Sequence, residues 1–256
     1  MTPIQPSPDA RACSGPEGWS LRVVGPYLVV LLLAVLLAMA LRVRFFEHYH
    51  QISHTTNLLL DGTRDLLKTA FWVQVLLFWW LALTKLLPPL RRRLPPASRD
   101  LIQAARLGAG LSLVNLFSES LAIYWLKIES YELLLESLLL YSAITLNFLF
   151  WYWIVDHPPR HPGPLWEARA TTPGVSMPYG IVFPEEALER DLLKTESWKP
   201  AFTDYLYFTI LSSNCFGAPE GHSLVGAPIK RLHMLHSLAI LSVFIVILGR
   251  AINTLS

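Results

Sequence analysis

The stretch DYLYFTILSSNCFGAPEG occupies residues 204–221, and an apolar helical pattern follows it over residues 232–252. Its apolar part, residues 205–216, has about 12 residues, whereas a helix needs about 20 to cross the hydrocarbon core of a bilayer. The order of the three parts is a short apolar helix, a turn rich in small residues and a full-length apolar segment. This order predicts a re-entrant helix followed by a membrane span.

The composition of the chain also predicts a membrane protein. Of its 256 residues, 53% are hydrophobic and 16% are charged, whereas about a quarter of the residues in soluble domains are charged. The net charge of +2 gives no reason to expect nucleic acid as a partner. Cys13 and Cys215 lie in contexts too different for a disulfide framework. The chain has no nucleotide-binding or serine-nucleophile motif, so we predict neither an enzyme nor a cofactor.

Four further apolar segments precede the re-entrant stretch, and we predict that they span the membrane at residues 23–41, 69–87, 107–126 and 133–155. Backbone polar groups in lipid must be satisfied within the segment, so each span is expected to be a helix. The predicted fold class is therefore an all-α polytopic protein of the cell membrane, with the lipid bilayer as its first partner.

The same pattern divides the chain into four parts. Amphipathic spacing over residues 184–197 predicts a helix lying on the membrane surface. The predicted parts are a disordered polar tail (1–21), a four-helix transmembrane region (22–157), a linker that carries the surface helix (158–198) and a pore-loop-like module (199–256).

Residues 198–256 resemble the pore module of bacterial two-transmembrane potassium channels. The family's pore helix begins Asp-x-Leu-Tyr-Phe, and the matching residues here are Asp204, Leu206, Tyr207 and Phe208. The family's filter is of the type Leu-Thr-Thr-Val-Gly-Tyr-Gly-Asp, and the aligned residues are Leu211, Ser212, Ser213, Asn214, Cys215, Phe216, Gly217 and Ala218. An ungapped alignment instead places Gly217 on the first filter glycine. The resemblance implies a homo-oligomeric ion channel, a tetramer if a pore is formed, because one turn supplies only one wall of a filter.

Several substitutions in this frame bear on selectivity. Cys215 replaces a glycine whose positive φ disfavours any Cβ. Asn214 replaces an apolar residue, and Ala218 replaces the acid, although Glu220 lies nearby. We predict that this pore loop passes monovalent cations with poor selectivity, through Ser212, Ser213, Asn214, Cys215, Phe216, Gly217 and Glu220. The alternative is a non-conducting membrane scaffold or sensor that keeps the pore-like fold only as packing.

Basic residues between the spans predict the orientation of the chain. Six of them surround the prolines of residues 88–96, namely Lys85, Arg91, Arg92, Arg93, Arg99 and Arg106. Loops this basic are normally cytoplasmic, which places the N-terminus and residues 156–200 inside. A potassium-channel filter turn faces outward, so three alternatives remain: residues 205–216 cross the membrane completely, one earlier span does not cross, or the orientation inferred from the basic residues is wrong.

Polar residues inside the predicted spans form a second candidate site. Asn115 and Glu119 lie four residues apart on one helix face, and a carboxylate within a membrane suggests a functional site. Thr145 and Asn147 in the fourth predicted span are candidate partners for this carboxylate. The group is interpreted either as hydrogen bonding that holds the bundle together or as a proton or cation pathway.

Histidines suggest two further sites. Glu47, His50 and His54 share one helical face and are weak candidates for a metal site, against a solvated interfacial helix. His233 and His236, beside Lys230 and Arg231, are expected to face lipid head groups, with a pH-sensing role as the alternative.

Overall fold

A computed structural model describes residues 21–49, 69, 72–73, 76, 99–125, 130–160, 180–185, 200–215 and 217–255. Within these residues the main elements are α1 (Leu21–Tyr49), α2 (Arg99–Trp125), α3 (Ser130–Arg160), β1 (Gly180–Val182), α4 (Phe202–Cys215), β2 (Ser223–Val225) and α5 (Ala227–Leu255). The predicted second span and the predicted surface helix lie for the most part outside the described residues.

Three of the described helices are long and apolar enough to cross a membrane, at Val24–Arg42, Tyr131–Asp156 and Ala227–Arg250. They correspond to the predicted spans at residues 23–41, 133–155 and 232–252. The predicted third span, residues 107–126, overlaps α2 up to Trp125, and α2 is the least apolar of the four long described helices. The expectation of a mostly helical chain with several helices able to cross a membrane is therefore confirmed, and the complete set of spans stays a prediction.

Helix α3 lies at the centre of the bundle and packs against α1, α2, α4 and α5. Two contacts show that α1 runs antiparallel to it. Tyr27 stacks on Trp153 with ring centroids 4.3 Å apart, and the guanidinium of Arg44 lies 3.7 Å from the carboxylate of Glu136. We call the end of the bundle near Asp156 the mouth end, and the end near Glu132 the far end.

Helix α4 runs from the mouth end toward the middle of α3. Near its start Tyr205 contacts Asp156, and near its end Ser213 contacts Thr145. Because a helix rises about 1.5 Å per residue, Thr145 lies about 16 Å from Asp156 along α3. The last turn of α4 therefore lies near the middle of the candidate span Tyr131–Asp156.

The chain returns from that depth to the mouth end after α4. The ring of His222 lies 5.4 Å from Phe208 and 5.5 Å from Phe183. Strand β2 follows and pairs antiparallel with β1, with Ile181 opposite Leu224. Helix α5 then starts at the mouth end. The segment thus enters and leaves at one end of α3, which contradicts a complete crossing by residues 205–216 and leaves the other two alternatives.

The small sheet adds to the expected all-α fold. Each strand has three residues, and together they join the chain after α3 to the chain before α5 at the mouth end. Two isolated strands are marginal in water, so the sheet depends on what lies beneath it. Its buried residue Ile181 and the neighbouring Phe183 belong to the hydrophobic core.

Candidate functional site

A buried carboxylate fixes the start of α4. Asp156, in the α3 span, is fully buried. Its Oδ1 accepts a hydrogen bond from the Ile181 amide at 2.7 Å, and its Oδ2 accepts one from the Tyr205 hydroxyl. A buried carboxylate requires such donors because an unpaired one is strongly destabilised. Asp156 therefore ties α3, β1 and α4 together at the mouth.

Asp204, which carries part of the channel resemblance, has a local structural role. Its Oδ2 accepts a hydrogen bond from the Ala201 amide at 2.7 Å, just before the first turn of α4. This is one half of a capping box, in which a side chain three residues into the helix reaches back to the N-cap amide. The acidic residue at this position is thus explained by helix capping alone.

Two histidines of α5 form a buried polar cluster with α3 and α4. The Nδ1 atoms of His233 and His236 lie 2.9 Å and 3.0 Å from the hydroxyl of Tyr152. Nε2 of His236 lies 3.0 Å from Oγ of Ser213. The single Tyr152 proton can be donated to only one of the two rings, so neutral rings must adopt different tautomers here. The cluster locks α5 to both neighbouring helices.

The expectation that these histidines face head groups is wrong. His236 is 0% exposed and His233 is 8% exposed, whereas Lys230 and Arg231 lie on the exposed side of α5. Residues three apart share a helix face, so the two imidazoles point inward together. The spacing of three residues could have predicted that both imidazoles are buried, but the adjacent Lys230 and Arg231 favoured a position at the membrane surface.

Ser213 faces the interior of the bundle. Its hydroxyl donates to the Thr209 carbonyl at 2.9 Å and lies 3.1 Å from the Thr145 hydroxyl. With His236 it therefore has three polar neighbours. Ser212 is also buried, at 1% exposed. A residue that lines a pore between copies of the chain must be exposed on the outer surface of the bundle. Ser212 and Ser213 are both buried inside it.

Asn214 lies on the opposite, exposed side of the last turn of α4. Its side-chain oxygen accepts a hydrogen bond from the Tyr141 hydroxyl. The residues from Ser212 to Cys215 are all helical, so they do not adopt the extended filter conformation that the resemblance implies. Cys215 ends the helix, while the Cys215 side chain and all of Phe216 lie outside the described residues.

The last turn of α4 has the chemistry to attract cations. The final four carbonyl groups of a helix have no partner within it, and the aligned peptide dipoles place about half a negative charge at this end. Here the turn lies near mid-span, with the amide of Asn214 beside it. Gly217, which follows, is half-buried and Ala218 is exposed.

A cavity of about 220 Å³ opens at the mouth end, beside the return segment. Three carboxyl groups line it, those of Glu185, Asp204 and Glu220, together with His222. A cleft lined by one sign of charge raises the local concentration of the opposite ion. Within the described ranges, no group of three or more His, Cys, Asp or Glu side chains is placed to hold a metal ion.

The polar residues of α2 are buried, but their expected partners lie elsewhere. Asn115 is 2% exposed and Glu119 is 1% exposed. Asn147 donates to the Ala109 carbonyl at 3.2 Å, and Thr145 contacts Ser213. Asn147 therefore lies beside Ala109, whereas Glu119 is ten residues, or about 15 Å, further along α2. The expected pairing of Glu119 with Thr145 and Asn147 is therefore wrong.

The weak metal candidates are not placed. His50 and His54 lie outside the described residues, as does the side chain of Glu47. In comparisons with known proteins, no family model, no curated protein and no solved structure matches this chain. Its function is therefore argued from the geometry of the mouth and of α4.

Proposed function

We propose that this chain is a pore-loop protein of the cell membrane that assembles into a homo-oligomer, with four chains around one pore, and conducts monovalent cations with poor selectivity. The observation that carries the proposal is the exposed amide of Asn214 at the end of the re-entrant helix. This polar group lies at the depth of Thr145, in the middle of an apolar span.

Contact with lipid is unfavourable for the end of α4 and for the chain that follows it. Non-helical backbone at membrane depth is tolerated only where it is buried in protein or lines a water-filled cavity. Gly217 and Ala218 continue from the helix end as non-helical chain, and Ala218 is exposed. Water in a pore between copies of the chain satisfies these groups, as it does the free carbonyls of α4.

The outer face of α5 supports assembly of several copies. Only 28% of its candidate span is buried within the chain, against 61% for the span of α3. Its exposed large side chains include Met234, Leu238, Phe244, Ile245 and Leu248. An inner helix that packs against neighbouring subunits requires such a face. A single re-entrant segment forms only one wall of a pore, so several copies are needed.

The expected selectivity follows from the conformation of α4. A potassium filter aims a row of extended backbone carbonyls at the ion. Here Ser212, Ser213 and Asn214 are helical, so their carbonyls do not form such a row. The helix terminus and the carboxylates of the mouth attract cations of either kind, and this combination favours cation conduction with little discrimination between sodium and potassium.

The test is cation flux into liposomes that contain the purified full chain. Flux of sodium and potassium should exceed that of protein-free liposomes, and the protein should run as an oligomer in mild detergent. Asn214→Leu should reduce flux about tenfold, whereas Asn214→Asp should preserve or raise it, since a difference of about 1.4 kcal/mol in barrier is tenfold in rate.

Tyr141→Phe is the matched control. It removes the hydrogen bond to Asn214 and leaves the amide in place. If Asn214 lines water, Tyr141→Phe retains most of the flux. A flux loss in Tyr141→Phe equal to that in Asn214→Leu assigns Asn214 a packing role. A monomeric protein with no flux above background contradicts the proposal.

The second candidate function is a non-conducting scaffold or sensor. The observation that favours it is the dense hydrogen bonding around Ser213, which fixes α4 between α3 and α5. Thiol chemistry separates the two candidates in a Cys13→Ser background. A water-soluble reagent that modifies Cys215 from one side and blocks flux supports the pore, whereas an unreactive Cys215 supports the scaffold.

A further inference from the structure

We propose that Glu119 is an intramembrane proton-binding site, located between α1, α2 and α3 and separate from the re-entrant segment. Its carboxyl group exchanges a proton with the far end of the bundle, and the guanidinium of Arg42 is its counter-charge. The ligand is the proton, and the proposal does not depend on conduction through the pore loop.

The antiparallel packing of α2 and α3 sets the depth of the site. The Ala109 carbonyl accepts a hydrogen bond from Asn147, so Glu119 lies near the level of Ser137. Ser137 is about 9 Å along α3 from Tyr131, where the candidate span begins. The carboxyl group is therefore inside the hydrocarbon thickness, on the side of the far end.

Burial makes a permanent negative charge on Glu119 unfavourable. The residue is 1% exposed, and among the described residues neither carboxylate oxygen has a hydrogen-bond partner. An isolated ionised carboxylate in a low-dielectric interior carries a large desolvation penalty, and protonation removes most of it. One turn before Asn115 on the same face, the Ser112 hydroxyl is buried and also lacks a described partner.

Charged groups on the neighbouring helices oppose this desolvation penalty by attracting the ionised carboxylate. From α1, the guanidinium of Arg42 attracts the Glu119 carboxylate and is itself 6% exposed. Arg44, also from α1, lies 3.8 Å from Glu132 and 3.7 Å from Glu136 of α3. Arg44 is thus engaged by two carboxylates, and Arg42 is a cation that acts on Glu119.

The same groups explain why a proton is the natural ligand. Helix α5 also packs on α2 and brings Arg250 toward the far end. Among the described side chains at this end of α1, α2 and α3, the carboxyl groups are those of Glu119, Glu132 and Glu136, and the guanidinium groups are those of Arg42 and Arg44. A proton neutralises the Glu119 carboxylate without the several oxygen ligands that a metal ion needs, and the described residues offer no metal-holding group.

Glu119 lies in a dry interior without a hydrogen-bond partner among the described residues, and the guanidinium of Arg42 is a nearby opposite charge. Two opposing interactions at one buried group allow its protonation state to change with the surroundings. A site of this kind responds to pH on the far side, or to any motion that separates α1 from α2.

The test is labelling with dicyclohexylcarbodiimide, an apolar reagent that attacks protonated carboxyl groups, on the full chain in liposomes over a pH series. Peptide mass spectrometry should find an adduct on Glu119 that falls at least about tenfold from the acid to the alkaline end, as expected for titration of one group. Glu119→Gln should abolish it, and Glu136→Gln should retain it. No adduct at any pH, or an adduct independent of pH, would overturn the proposal.

Arg42→Gln supplies the second arm. Without the guanidinium, the adduct should persist to higher pH by about one unit or more, because a nearby opposite charge favours ionisation by that amount. An unchanged pH profile in Arg42→Gln refutes its role as counter-charge. If that variant does not fold, infrared difference spectra of wild type and Glu119→Gln decide the matter. A protonated-carboxyl band that is lost in the variant and fades at high pH supports the site, and its absence refutes it.

Discussion

Replacing Gly180 with alanine should destabilise the protein far more than the same change at Gly221. Gly180 has a φ of +104°, and a Cβ built on it lies 1.9 Å from Oδ1 of Asp156. That oxygen accepts the Ile181 amide, and the other carboxylate oxygen accepts the Tyr205 hydroxyl. The added methyl group therefore forces Asp156 to give up at least one bond that holds β1 and α4 to α3.

The magnitude follows from two terms. A non-glycine residue with left-handed backbone costs about 1–2 kcal/mol, and loss of a hydrogen bond to a charged group costs about 1.5–3 kcal/mol. Gly180→Ala should then lower the free energy of unfolding by about 3–5 kcal/mol if one bond is lost, and by up to about 8 kcal/mol if both are lost.

Gly221 is the matched control because it shares the backbone term. Its φ is +80°, and the nearest atom to an added Cβ is Cγ of Pro184 at 3.1 Å. A shift of a few tenths of an ångström in the proline ring relieves that contact. Gly221→Ala should therefore show little more than the backbone term of about 1–2 kcal/mol.

Unfolding by sodium dodecyl sulfate from mild detergent measures both variants, with tryptophan fluorescence as the signal. Trp153, stacked on Tyr27, is one of the reporters. In an Asp156→Ala background the oxygen that collides is gone, so adding Gly180→Ala should cost only about 1–2 kcal/mol. Equal unfolding free energies for Gly180→Ala and Gly221→Ala, within about 0.5 kcal/mol, would refute the collision.

Two further predictions use the same unfolding assay. Tyr152→Phe removes the hydroxyl beside both His233 and His236, and should lower stability by about 1–3 kcal/mol because buried ring nitrogens lose a partner; an effect no larger than that of Tyr141→Phe would contradict it. Arg44→Gln should cost about 1–3 kcal/mol because Glu136, 0% exposed, loses its ion pair. Adding Glu136→Gln should recover most of that loss, and an additive double variant would argue against the pairing.

Hydrophobic length was sufficient to predict α1, α3 and α5. Apolar segments at residues 23–41, 133–155 and 232–252 match the candidate spans within a few residues, because a run of this length must be satisfied by its own backbone bonds. The short apolar segment at 205–216 likewise matches α4, at Phe202–Cys215. These features depend on local sequence alone.

Contacts between distant residues explain what could not be predicted. Tyr152 contacts His233 and His236, which lie more than 80 residues further along the chain. Nothing in the local sequence of α5 distinguishes a buried histidine from one at the surface. Strands β1 and β2 have three residues each, too few to show a period of two. Ser212 and Ser213 match the hydroxyl residues of a filter frame by type, yet the helix continues through them to Cys215.

The path of α4 links the orientation of the bundle in the membrane to the side on which the turn after α4 opens. The chain enters α2 at the mouth end directly after the arginine-rich stretch of residues 85–99, and Lys230 and Arg231 begin α5 at the same end. Charge alone therefore assigns the mouth to the cytoplasm, whereas the channels that residues 198–256 resemble open their filter to the outside. Because α4 returns to its starting side, no extra crossing can reconcile the two. The sidedness of Glu220 at the mouth therefore also determines the sidedness of the far end, where Glu119 exchanges its proton.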